Sequence, residues 1–182
     1  MIATHPTVTN PTETFQYDAA GNRIDFFRIG EDYGSQQGLL FGIEQWKEFI
    51  QPTLLEMSAI PKKNHSFYYH HTCGSVVELI PLLIESGVDV LDPVQIRAKG
   101  MDPYELKARY GDTLCFSGGI DEQQVLPEGS PEEVRNEVIR ILNIMGKDGG
   151  YFVGPTHNFQ ADIPTENIVV MYEAARKWNY ND

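Results

Sequence analysis

Two side chains that bind soft cations stand two positions apart at His71-Thr72-Cys73. In a strand, residues i and i+2 point to the same side. A neutral imidazole and a thiolate can then converge on one metal ion, and Zn²⁺ prefers such nitrogen and sulfur donors. The competing reading is a helix-start turn that happens to hold a buried structural cysteine. His157 follows a Gly154-Pro155-Thr156 turn. It is suited to proton donation or anion contact near neutral pH, or is an ordinary surface-loop histidine. Glu31-Asp32 is a carboxylate pair that could polarise a substrate or hold a proton, because adjacent like charges raise one pKa. It reads equally as a solvated turn. Asp121, after Gly118-Gly119, carries the same two readings. Asp92-Pro93 reads as a turn, Tyr68 and Tyr69 as packing residues, and Cys115 as a small buried hydrophobe. Glu132-Glu133 suits the positive end of a helix dipole and no chemistry.

The elements that must position these residues repeat one theme. Short β-branched or aromatic runs alternate with amphipathic stretches of helix length. The runs are Ile24–Ile29, His65–His71, Val88–Leu91, Thr113–Ser117 and Tyr151–Val153. Helices are expected over Ile43–Met57, kinked at Pro52, and over Val76–Ser86, interrupted by Pro81. Gly87 closes the second of these. Asp102-Pro103 opens a third helix that runs to Tyr110. Ser130-Pro131-Glu132-Glu133 has the form of a capping box and starts a fourth that runs to Met145. The last covers Thr165–Lys177. Residues 1–12, with two prolines, four threonines and no periodicity, read as a flexible arm within a lead-in over 1–23.

Strict strand–helix alternation means a parallel α/β sheet. His71, Cys73, Asp92, Asp121 and His157 all fall just after strand ends, where (β/α) barrels place their chemistry. No Gly-x-Gly-x-x-Gly or phosphate-binding lysine loop supports an open nucleotide-binding sheet. The expected architecture is therefore part of a TIM (β/α)₈ barrel, about five β/α units over residues 24–182. A complete barrel has eight units, so the remainder is expected from another chain, or as lost to truncation.

The composition is globular, with 41% hydrophobic and 22% charged residues. Fourteen Lys+Arg against 26 Asp+Glu give a net charge of -12, which excludes nucleic acid as the main partner. It does not forbid a polyanionic substrate, which one or two local arginines could hold. No apolar run is long enough to span a bilayer, and no basic-then-apolar leader is present. The expected compartment is the cytoplasm. Two cysteines are too few for a disulfide framework.

Taken together, GEDYGSQQGLL, HHTCGSVVELIPLLIESGVDVLDPVQ, GMDPYELKARYGD, SGGIDEQ and GPTHNFQADIPTENI resemble the C-terminal half of uroporphyrinogen decarboxylase-family proteins. The resemblance runs from about Ile24 to Trp178 and implies a (β/α)₈ barrel. The family contains cofactor-free tetrapyrrole decarboxylases and zinc-dependent enzymes that move a methyl group between a corrinoid protein and a thiol. For the first branch it implies His157 as the decarboxylase histidine, although the glycines of that turn are not kept. The decarboxylase's Leu-Asp-Trp is here Leu91-Asp92-Pro93. Its arginine-rich motif and pyrrole-binding aspartate would lie upstream of Met1.

For the methyltransferase branch the resemblance implies His71 and Cys73 as zinc ligands. The distant cysteine that completes that site is expected near residues 148–150, where this chain has none; Glu31, Asp32 or water would have to replace it. The His-x-Cys pair, with the decarboxylase signatures missing, favours a methyltransferase-like enzyme, with Zn²⁺ and a corrinoid carried by a partner protein. The alternatives are a decarboxylase of porphyrin biosynthesis without cofactor, and an inactive or split product that needs an N-terminal half-barrel chain or a second copy.

Overall fold

A computed structural model describes residues 25–178. The arm expected over 1–23 lies outside them. Five parallel strands form one sheet: β1 (Phe26–Gly30), β2 (Phe67–His71), β3 (Val90–Val94), β4 (Cys115–Ile120) and β5 (Tyr151–Pro155). Their spatial order is their sequence order. Every crossover carries a helix: α1 (Ile43–Phe49) and α2 (Gln51–Lys63) after β1, α3 (Ile80–Glu85) after β2, and α4 (Pro103–Tyr110) after β3. Helices α5 (Val125–Glu128) and α6 (Pro131–Met145) follow β4, and α7 (Thr165–Lys177) follows β5. An order without reversal is that of a barrel wall, since an open doubly wound sheet changes direction at a switch point.

The sheet curls strongly. Phe26 of β1 and Phe152 of β5, the first and last strands in the order, meet edge to face at 5.6 Å. Side-chain alternation then gives the sheet two faces. Tyr68, Leu91 and Phe116 are fully buried and share one core with helix residues such as Trp46, Leu83 and Ile141. Tyr69, His71, Asp92 and Ser117, one residue out of phase, line the concave face.

Helix α6 shows why the outer layer holds. Val134, Val138, Ile141, Leu142 and Met145 make one buried stripe, each contributing roughly 1.5–3 kcal/mol by leaving water. The Ser130–Glu133 capping box closes its first turn.

Three expectations are corrected. The helix over 43–57 breaks at Ile50 and restarts at Gln51, with Pro52 in the new first turn. The helix expected from Val76 begins at Ile80, with Pro81 again in its first turn. Both prolines start helices because the N–H they lack has no partner there anyway. Third, Asp92-Pro93 is no turn; it lies inside β3, with Asp92 paired to His71 of β2. No helix among the described residues is long and apolar enough to cross a membrane.

Candidate metal centre

The C-terminal ends of the strands gather the donors. His71 is the last residue of β2, and Cys73 follows in the loop. His157 follows β5 after Thr156, which is locked in place because its N–H donates to Ile120 O at 2.9 Å. Thr156 Oγ1 also accepts the N–H of Glu122 at 3.2 Å. One ligand atom from each of His71, Cys73 and His157 lies within 4.8 Å of the others. The two imidazoles are 6.1 Å apart between ring centres, and His71 Nε2 is 3.5 Å from Cys73 Sγ.

A backbone contact sets the loop that carries Cys73. Gly34 and Gly74 touch so closely that a Cβ on Gly74 would sit 2.4 Å from the Gly34 carbonyl carbon. Gly74 also has φ +86, which favours glycine. This contact lays the loop after β1 across the loop after β2. Tyr33 N then donates to Thr72 Oγ1 at 3.0 Å, and Cys73 N donates to Asp32 Oδ1 at 2.9 Å. Asp32 therefore joins the cluster, with the same oxygen 3.9 Å from His71 Nε2. Among the described residues no side-chain contact joins Glu31 to it: the residue is exposed, and its N–H donates to His71 O.

Behind His71 stands Asp92, whose Oδ2 is 2.7 Å from His71 Nδ1. Burial raises the pKa of Asp92, but hydrogen bonds from His71, Tyr69 and Ser117 outweigh it and bring it down to about 2. An ionised carboxylate only accepts, so the proton between the two belongs to Nδ1. In the neutral ring Nε2, on the side of Cys73, then carries the lone pair, which is the tautomer a metal ligand requires. Tyr69 and Ser117, their hydroxyls 2.6 Å apart, hold Asp92 from the far side. Arg28 reaches it from β1 at 3.4 Å and lies over the Tyr69 ring. Tyr69 is thus part of the polar wall of the site as well as packing against Phe26.

The Cys73 thiol is pushed up to about 12 by burial and then by the charges of Asp32, Asp92 and Glu122. A thiol so placed is a poor nucleophile on its own. The same carboxylates would stabilise a cation, and a cation would deprotonate the thiol. The donor set of two imidazoles and one sulfur is of the kind Zn²⁺ prefers. The third donor atom within reach comes from His157, where the sequence pointed to Glu31, Asp32 or water. Residues 148–150 lie at the opposite end of the fold, where Gly150 precedes β5 and approaches Cys115. Lys107 Nζ donates to Gly149 O there at 2.6 Å.

Sequence comparison settles the ancestry. A family model described as "Uroporphyrinogen decarboxylase (URO-D)" matches residues 31–178. The chain belongs to the uroporphyrinogen decarboxylase family. Within that family it is 32% identical over 77 residues to "Uroporphyrinogen decarboxylase" of Psychromonas ingrahamii, covering 42% of this chain and 21% of that protein. It is 23% identical over 145 residues to "Methylated-thiol--coenzyme M methyltransferase" of Methanosarcina mazei, covering 79% of this chain and 36% of that protein. The solved "methyltransferase from Methanosarcina mazei" superposes with a TM-score of 0.68 at 18% identity, over 87% of this chain and 43% of that one. That likeness shows the fold. The chain spans less than half the length of each of these uroporphyrinogen decarboxylase-family relatives.

Proposed function

We propose that this chain carries the reaction centre of a methyltransferase-like enzyme, in which a methyl group passes between a corrinoid carried by a partner protein and a thiol. The observation that carries the reading is the convergence of His71, Cys73 and His157 within 4.8 Å, with His71 oriented by Asp92. A decarboxylase without a cofactor needs no such nitrogen and sulfur donor set. The methyltransferase match over 79% of the chain supports the same reading.

His71 Nε2, Cys73 Sγ and an imidazole nitrogen of His157 would hold Zn²⁺. The chemistry such an ion supplies is Lewis acidity, which lowers the pKa of a substrate thiol into the neutral range. Asp92 fixes the His71 tautomer. Asp32, more exposed and next to Cys73, takes the proton released by the thiol. A corrinoid docked at this end of the strands would supply the methyl group and keep the electron pair of its bond to carbon, and the substrate sulfur would be the acceptor. Asp32 also holds the Cys73 loop through the backbone N–H of Cys73.

The test is methyl transfer from methylcobalamin to a small thiol, followed by the visible spectrum of the corrinoid. Zinc-dependent turnover that disappears with Cys73→Ala supports the proposal. Turnover that is indifferent to zinc and to that substitution rejects it. A second reading, removal of carboxyl groups from a porphyrinogen, is favoured by the 32% identity to a decarboxylase over 77 residues. Release of CO₂ from uroporphyrinogen without metal would establish it in place of the first.

A further inference from the structure

Arg97, in the loop after β3, is held from one side only. Its Nε donates to Asp121 Oδ2 in an ion pair. Asp121, 1% exposed, is pinned in turn by the N–H groups of Gln123 at 2.9 Å and Val125 at 3.4 Å. This anchor fixes the guanidinium plane and uses only the Nε position. Among the described residues no acceptor takes the hydrogens of the two terminal nitrogens, and the side chain is 40% exposed.

The chain neighbours of both partners reach the donor cluster. Gln95, two residues before Arg97, accepts the N–H of Gly74, next to Cys73, at 2.6 Å. Glu122, next to Asp121, acts by its charge on both Cys73 and His157. Arg97 therefore stands at the same end of the strands as His71, Cys73 and His157. The other nearby cation, Arg28, is already engaged with Asp92 and with the Tyr69 ring.

We propose that Arg97, positioned by Asp121, recognises an anionic group (carboxylate, sulfonate or phosphate) on the small substrate whose sulfur reacts at the cluster. This deepens the methyltransferase reading and rests on it. A planar guanidinium with two free terminal N–H edges matches such a group bidentately. The surroundings make it necessary, because Asp32, Asp92 and Glu122 would otherwise repel an anion from this end of a chain with net charge -12. Burying the Asp121 carboxylate is costly. Merely tethering the loop would not require a charge at that position.

The experiment is calorimetric titration of zinc-loaded protein with mercaptopropionate and mercaptoethanol, one thiol with a carboxylate and one without. Propionate is titrated in parallel with and without zinc. The variant is Arg97→Gln with Asp121→Asn, so that no buried carboxylate is left unpaired. Wild-type protein is expected to bind mercaptopropionate at least about tenfold more tightly than mercaptoethanol, as for one charge-assisted bidentate contact. In the variant that preference is expected to vanish while zinc content and mercaptoethanol affinity stay the same. Equal affinities in the wild type, or a preference that survives in the variant, overturns the proposal. If the protein takes up no zinc, the metal reading fails on its own, and propionate decides: binding that depends on Arg97 supports the anion site, and binding that does not, or no binding, removes it.

Discussion

His71 Nδ1 lies 2.7 Å from Asp92 Oδ2, on the neighbouring strand at the same register, while the other ring nitrogen of His71 faces Cys73 Sγ at 3.5 Å. The ladder between β2 and β3 thus aims a ligand at the centre of the site. Removing Asp92 should free the ring. Asp92→Ala is expected to weaken zinc binding about 10–100-fold, the usual cost of losing an outer partner of a ligating histidine. Asp92→Asn, which keeps an acceptor, should lose less. Competition with a chromogenic chelator measures both, and unchanged affinity in Asp92→Ala would remove Asp92 from the site.

His157 is assigned the place of a metal donor, so chemistry rather than size should govern its replacements. His157→Cys is expected to retain zinc, because thiolate is a favoured ligand. His157→Leu, of similar bulk, should lose more affinity than Asp92→Ala does. Equal retention in both variants would show that His157 is not a ligand.

His70, beside the site residue but facing the core, makes a prediction about stability. It is fully buried, stacks on Tyr33 at 5.5 Å, and its Nε2 has no partner among the described residues. Burial, then the charge of His71, lowers its pKa to about 4 from the ordinary 6.5. The unfolded chain takes up a proton that the folded one refuses. The stabilising contribution is therefore complete above pH 6.5 and lost as pH falls from 6.5 to 4, a change of roughly 3 kcal/mol. Urea denaturation of metal-free protein across that window measures it. His70→Phe, which keeps the ring stacking, should flatten the slope, and an unchanged slope would point to another group.

Much of this could be read from residue order, and the exceptions have physical causes. The five strands follow from short apolar runs, α6 from its capping box, and α7 from its periodicity. His71 and Cys73 do meet, Nε2 to Sγ at 3.5 Å, but β2 ends at His71, so the loop and not strand alternation places the sulfur. Spacing says nothing about partners far along the chain. The meeting of His157 with His71 depends on β5 curling round toward β1 and β2, which the Phe26–Phe152 and Tyr69–Phe152 contacts show. Asp92-Pro93 has the composition of a turn, yet the ladder from β2 carries it through as strand. Tyr69 has the composition of core, but its hydroxyl reaches Ser117 on β4, past the single strand β3 between them. Residues 148–150 come just before β5, which starts at Tyr151, so they stand at the other end of that strand from His157.

The central claim is a metal held by two imidazoles and one sulfur. Zinc content after equilibrium dialysis of the purified chain, beside Cys73→Ala, tests it most directly. The account predicts about one zinc ion per wild-type chain and none retained by the variant, as for a site with three protein ligands. A wild-type chain that leaves dialysis without zinc, or a variant that retains as much as the wild type, would contradict it.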